Sequence, residues 1–301
     1  MNRILFLFCC LLSMHTLYAQ TATPTNVVKK KVHSKFYFNV GLGYALPLAG
    51  QTLDANNGGP LSGTFTYSNP FGNQPDTVHF SMAKTSFSTG MHGIAGITYM
   101  FNDNIGLQCD LSYGVLSTHY TNQSVDTLHH GIRSNVSHEQ YAKAPIMFTP
   151  SLLIQTKVQK ANVYIRAGAA LPLTAKIIDN ETINYYPPGN NGVLLVQASR
   201  EIKTNFGLGF SGAIGCSWPM AENVKFWAEL NVLTMSLYAK EADVTSFTAD
   251  GVNQMFIASP LTLKTTYASA STSVSNGAGD QPTYSIPFSN MSINIGLSFR
   301  L

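Results

Sequence analysis

Charge is scarce in this chain. Only 11% of its 301 residues are Asp, Glu, Lys or Arg, with a formal net charge of +3. The few charges form neither a basic patch nor an acidic tract, so nucleic acid is not an expected partner. Long hydrophobic runs are missing as well. The first apolar run, Ile4 to Leu12, is about half of the ~18 residues a membrane-spanning helix requires, and no longer one follows. A helical membrane protein is thereby excluded. Cysteine is nearly absent: Cys9 and Cys10 lie in that run, leaving Cys109 and Cys216, too few for a disulfide framework.

What is present begins with a leader. Met1 to Arg3 is positive, Ile4 to Leu12 apolar, and Leu17-Tyr18-Ala19 forms a cleavage site before Gln20, so residues 1–19 are expected to be a secretory signal peptide. Residues 20–34 then form a short lead-in. No Leu-Ala-Gly type of sequence precedes Cys9 or Cys10, so lipid anchoring is not expected.

From residue 35 onward hydrophobicity alternates with period two, the signature of half-buried strands. Phe36, Phe38, Val40, Leu42 and Tyr44 share one parity; Leu107, Cys109, Leu111, Tyr113 and Val115 another; Met291, Ile293, Ile295, Leu297 and Phe299 a third. The opposite parity is polar or small. "FGLGFSG" at 206–212 contains G-x-G-x-x-G, the spacing of a dinucleotide loop. Yet Gly215 and Pro219 follow where that loop needs a helix, and Phe206, Leu208 and Phe210 alternate with the glycines. The glycines therefore sit on the small-residue face of a strand, and no cofactor is expected.

Eight such segments occur, near 36–46, 87–101, 105–118, 141–154, 161–173, 204–218, 223–238 and 288–301. Each can supply the ~9–11 residues of a tilted membrane-spanning strand. The connections alternate in length: 102–104, 155–160 and 219–222 are short, whereas 47–86, 119–140, 174–203 and 239–287 are long. The pattern predicts an all-β fold, an eight-stranded antiparallel transmembrane up-and-down β-barrel with long extracellular loops, spanning 35–301 in the cell outer membrane. Phe36, Tyr99, Phe101, Trp218, Phe226 and Phe299 all fall at short-turn ends with outward parity, as an interfacial girdle requires. Tyr44, Phe87, Tyr113 and Phe206 are the candidates for the opposite girdle. A soluble sandwich would alternate too, but has no reason to gather outward aromatics at one end. Cys109 and Cys216 have outward parity on non-neighbouring strands and are expected to face lipid unbridged.

"YFNVGLGYALPL", its echo "YIRAGAALPL", "AKAPIM", "WAELNV" and the terminal "INIGLSFRL" resemble the small outer-membrane β-barrel domain family common in Bacteroidetes, related in architecture to the eight-stranded OmpA and OmpX barrels. The resemblance covers residues 35 to 301. It implies outer-membrane lipid as surroundings and the barrel-assembly machinery as a partner during insertion, because the last strand, with Phe299 and Leu301 outward, is similar to that machinery's recognition signal. Pro145 and Pro150 each remove a ladder donor, so a bulge or delayed start is expected in the fourth strand.

An eight-stranded lumen is just wide enough for side chains to fill it, which argues against a general pore. Asp110, Arg166 and Glu229 have inward parity near mid-depth, and buried charges are normally paired. Arg166 is expected to bridge Asp110, Glu229 or both, as a stiffening plug or, alternatively, as the gate of a narrow path for ions or small solutes. Lys143, Lys225 and Arg300 point inward nearer the ends. Outer-membrane barrels can be lipid-modifying enzymes, but His92 has no Ser or Asp beside it. His119, His129, His130 and His138, with Asp126 and Glu139, read as a solvated loop and not as zinc ligands. No catalytic, cofactor or metal site is assigned. The remaining information is in the long segments: "AKIIDNETINYY" and "GVLLVQASREIK" could project as a hairpin, "TTYASASTSVSNGAGDQPTYS" reads as a flexible surface segment, and function carried by such loops would be recognition of a surface ligand, or adhesion. Support of envelope integrity is the companion reading.

Overall fold

The structure, a computed structural model, describes residues 35–48, 62–67, 76–81, 86–129, 132–186, 193–255, 263–268 and 280–301. The expected signal peptide and lead-in lie outside them. In chain order the strands are β1 (Phe36–Pro47), β2 (Ser62–Tyr67), β3 (Asp76–Ser81), β4 (Gly90–Met100), β5 (Ile105–Ser117) and β6 (Tyr120–His129). Two very long strands follow, β7 (Ile132–Val158) and β8 (Ala161–Tyr186), then β9 (Leu194–Thr204), β10 (Gly209–Ala221), β11 (Val224–Thr234) and β12 (Ser236–Ala249). The short β13 (Val252–Asn253), β14 (Lys264–Ala268), β15 (Asp280–Pro282) and β16 (Ser285–Pro287) precede the last strand, β17 (Asn290–Arg300).

Eight of these close on themselves. The antiparallel pairings run β1–β4, β4–β5, β5–β7, β7–β8, β8–β10, β10–β11 and β11–β17, and β17 returns to β1 over the whole of both strands, from Tyr37 opposite Arg300 to Pro47 opposite Asn290. Closure leaves no edge, the condition for crossing a bilayer with strands. Period-two alternation then decides what each face meets. Every barrel strand puts one large aliphatic outward: Leu42, Ile97, Leu111, Leu152, Ile165, Ile214, Leu230 and Ile295 are each 41–55% exposed. Each also buries a polar or charged residue inward: Asn39, Thr98, Asp110, Ser151, Arg166, Ser217, Glu229 and Asn294 are at most 7% exposed. A soluble domain has the reverse arrangement. Among the described residues no helix is long and apolar enough to cross a membrane.

At the short-turn end the outward aromatics pack side by side: Phe36 lies 4.7 Å from Tyr99, Tyr99 5.3 Å from Phe101, and Trp218 5.9 Å from Phe226, centroid to centroid. At the far end Tyr44, Tyr113 and Phe206 are 56%, 50% and 74% exposed, but Phe87 is a correction. It precedes β4, which begins only at Gly90, and is buried to 2% exposure. Its ring meets Tyr120 and Phe288 in an apolar cap that also contains Met147, Met235, Leu237 and Ile286. The cap covers the lumen's extracellular mouth.

The long connections differ most from the loops expected. The described residues within 119–140 form β6 and the first part of β7, and those within 174–203 form the upper part of β8 and most of β9. Pairings β3–β6, β6–β7, β7–β8, β8–β9, β9–β12 and β12–β14 join them into one sheet beyond the barrel. The sixth and seventh segments are each two strands, because the chain leaves regular pairing between Thr204 and Gly209 and again at Met235. "TTYASASTSVSNGAGDQPTYS" begins in β14, includes β15, which pairs with β14 in parallel, and ends at the first residue of β16, and Tyr267 and Tyr284 pack edge to face at 5.3 Å; residues 269–279 lie outside the described residues. The fourth strand is bulged at Pro145, where the register shifts between Lys143 and Met147 and Ala144 takes φ 45°. Pro150 leaves residues 149–150 out of the ladder to β8 without changing its register.

Candidate functional site

The lumen is divided at mid-depth by an ionic bridge. β8 aims Arg166 inward between β5 and β11, and the guanidinium fork takes a carboxylate on each side. Nη2 and Nε donate to Glu229 Oε1 and Oε2 at 2.5 and 3.0 Å, and Nη1 donates to Asp110 Oδ2 at 2.5 Å. All three side chains are at most 6% exposed. Further donors complete both acids. Gln108 Nε2 reaches the Asp110 oxygens at 3.0 and 2.8 Å, Tyr164 OH donates to Glu229 at 3.1 Å, and Asn294 Nδ2 donates to it at 3.0 Å. His92 Nε2 lies 3.1 Å from Asn294 Oδ1, which extends the network to β4 without supplying a nucleophile.

Asp110, Arg166 and Glu229 can be placed on the lumen face from parity. Gln108, Tyr164 and Asn294 share that parity, but nothing in their types distinguished them from ordinary lumen polar residues. The bridge separates two polar chambers. One, of about 80 Å3, lies toward the cap and includes His92, Asn231 and Asn290; the other, of about 60 Å3, lies toward the short turns and includes Asn39, Lys225 and Trp227. Arg300 reaches the second chamber's edge through Tyr37, whose hydroxyl accepts from its Nη2 at 2.9 Å, whereas Lys143 belongs to the projecting sheet and lies 3.8 Å from Glu201.

That sheet separates the loop histidines. His119 Nδ1 lies 2.9 Å from Glu139 Oε1 and its ring stacks on Tyr141 at 4.2 Å; the hydrogen bond from His119 holds the Glu139 carboxyl below its usual range. His138, one position along β7 and therefore on the opposite face, lies 3.2 Å from Asp179 Oδ1, which raises its pKa against the opposing effect of burial. Arg200 donates to Glu181 at 2.7 Å on that same face. His130 and the side chains of Asp126 and His129 lie outside the described residues. No group of three or more metal-ligating side chains occurs among the described residues.

A closed eight-stranded antiparallel barrel, apolar outside and polar within, with short turns at one end and tall extensions at the other, is a membrane-spanning barrel of the outer-membrane type. The protein is thus an outer-membrane β-barrel. No family model matches the chain, and no curated protein matches it. Among solved structures it is similar to the outer membrane protein OprG from Pseudomonas aeruginosa, with 12% identity over 89% of this chain and 96% of that one and a TM-score of 0.37.

Proposed function

We propose that this barrel is a non-enzymatic carrier that holds a recognition surface outside the cell, for adhesion or for binding a host or envelope component. The observation that carries the reading is the passage of β7 and β8 out of the barrel into a sheet shared with β6, β9 and β12. Rigid scaffolds that lift irregular segments away from the membrane are suited to contact. One face of that sheet has a groove of about 410 Å3 lined by Ile183, Tyr185, Val196, Val244 and Phe247, with Arg200 and Glu181 at one side. A polar pair beside an apolar floor is the usual composition of a ligand groove. The bridged and capped lumen supports this reading over a narrow channel.

Lys176 and Lys203 face each other in the β8–β9 register, so residues 177–202 can be replaced by an Asn-Gly turn. The expected result is a barrel that still shows heat-dependent gel mobility while cells lose attachment to the surfaces the parent binds. Unchanged attachment to every surface tested would overturn the recognition role. Support of envelope integrity is the second reading, favoured by the internal bridge; it requires that complete loss of the protein sensitise cells to detergent even though the hairpin deletion is silent.

A further inference from the structure

We propose that a row of lysines at the extracellular rim of the barrel binds the phosphate of an outer-leaflet lipid headgroup. The strand register brings the row together. Lys143 of β7 stands directly opposite Lys176 of β8, and Lys176 directly opposite Lys203 of β9, although no basic run joins them in the sequence. Like charges directly opposite across strands are destabilising, so three in succession mark a place where an anion belongs. Their face is the outer one, because the flanking Ala142, Ala175, Ile177 and Ile202 are buried in the core behind the sheet. It is the reverse of the face with the groove and Arg200, so the site is independent of what the groove binds.

Charge and position identify the anion. Glu201 lies 2.6 Å from Lys176 and 3.8 Å from Lys143, Lys203 meets Glu241 and Asp243 at 2.7 and 2.8 Å, and Lys264 meets Glu241 at 3.0 Å. These carboxylate side chains are 16–35% exposed and the lysines 38–62%, so the ammoniums form the outermost layer. Lys240 adds another cation: it is exposed at the bulge between Ala239 and Glu241 and has no carboxylate partner among the described residues. At this level the rim therefore has more cations than acids. It also continues the lipid-facing wall, since Lys176 follows Leu173, Lys203 precedes Phe206 and Lys240 follows Tyr238, all three of those apolar side chains being exposed. The outward residues of β8 from Val163 to Leu173 cover ~33 Å at ~3.3 Å per residue. At a tilt of ~40° that is ~25 Å across the membrane, the height of an outer-membrane barrel's apolar band. Lys176 thus stands at headgroup depth, where lysines attract anionic lipid. Adjacent strands are ~4.8 Å apart, close enough for two neighbouring ammoniums to share one phosphate.

The test uses the full barrel folded in neutral detergent, with bound lipid counted by native mass spectrometry and folding checked by heat-dependent gel mobility. The probe is dioctanoyl phosphatidic acid, and dioctanoyl phosphatidylcholine is the control with the same chains and no net charge. Saturable binding of the phosphatidic acid is expected. Lys143→Gln, Lys176→Gln and Lys203→Gln together should weaken it by about tenfold or more, and Arg at all three positions should retain it. Lys240→Gln, which breaks no ion pair among the described residues, should weaken it about fivefold on its own and decides the matter if the triple variant does not fold. Equal binding of phosphatidic acid by the parent and these Gln variants overturns the site, as does phosphatidylcholine binding as tightly as phosphatidic acid. Displacement by an equal concentration of inorganic phosphate, or of trigalacturonate as a soluble acidic glycan, overturns the lipid assignment.

Discussion

Phe87 and Phe288 lie 6.3 Å apart, ring centroid to ring centroid, and each is at most 2% exposed, although one precedes the second barrel strand and the other the last. The backbone seals the same junction: Phe87 N–H donates to the Pro287 carbonyl at 2.9 Å, Phe288 N–H to that of Met235 at 3.0 Å, and the Ser88 hydroxyl to that of Phe288. Phe288→Ala should therefore cost about 3–5 kcal/mol, the usual range for a fully buried phenylalanine. The check is the midpoint of the folded-to-unfolded gel shift in urea, which should fall relative to the parent.

Arg166 answers for two acids. Its replacement by Met leaves Asp110 and Glu229 facing each other across the lumen with no cation, and breaking a buried pair in this way typically costs about 3–5 kcal/mol. Restoring neutrality with Asp110→Asn and Glu229→Gln in the same protein should recover most of the loss. If the triple variant is no more stable than Arg166→Met alone, charge pairing is not what the bridge contributes. In planar bilayers the parent should remain closed, because bridge and cap obstruct the lumen at two levels.

His138 makes the projecting sheet sensitive to pH. Its folded pKa is raised by Asp179, so its stabilising contribution is fully present below the unfolded value of 6.5 and is lost as pH rises through the folded value. Amide exchange in 134–142 and 176–182, corrected for intrinsic rate, should therefore be slower at pH 6 than at pH 8.5. His138→Ala should abolish the difference.

Glu241 responds at the acid end. Hydrogen bonds from Lys203 and Lys264 lower its pKa from 4.5 to about 2. Its contribution is present above 4.5 and declines as pH falls toward 2, so acid should speed amide exchange where β12 meets β9 and β14, whereas Glu241→Gln should show that faster exchange already at neutral pH and a smaller further change in acid.

Cys109 and Cys216 are free and partly exposed on the outer face. A lipid-soluble maleimide should label both in vesicles, a charged water-soluble one neither, and oxidation should yield no intramolecular bridge. A disulfide between them would contradict the strand order.

Much of the barrel was legible because its rule is local. Parity along Ile105 to Val115 assigns each side chain to lipid or lumen without knowledge of its neighbour strand. The rule fails where the backbone adds a residue: the register shift opposite Met91 and His92 leaves both Val115 and Leu116 outward. Phe87 misleads for a related reason, since parity counted back from β4 is void once the chain turns at Gly90, whose φ is 112°. The projecting sheet was only half legible. Residues 132–143 are polar on both faces, and pairing among strands so distant in sequence leaves no periodic trace. In the lumen, the positions of Asp110, Arg166 and Glu229 followed from parity and depth. The second carboxylate on Arg166 depends on distances across the barrel that a linear sequence does not contain.

β7 and β8 have 27 and 26 residues, so each extends for roughly 85 Å of strand at ~3.3 Å per residue, well beyond a hydrocarbon core of ~30 Å. They remain paired from Val158 opposite Ala161 to Arg133 opposite Tyr186. A tensile load applied along the strand axes at the tip therefore runs through both backbones into the barrel wall, where the pairings of β7 to β5 and of β8 to β10 bear it in shear. Loaded along its axis, such a stalk would yield only by sliding many bonds together.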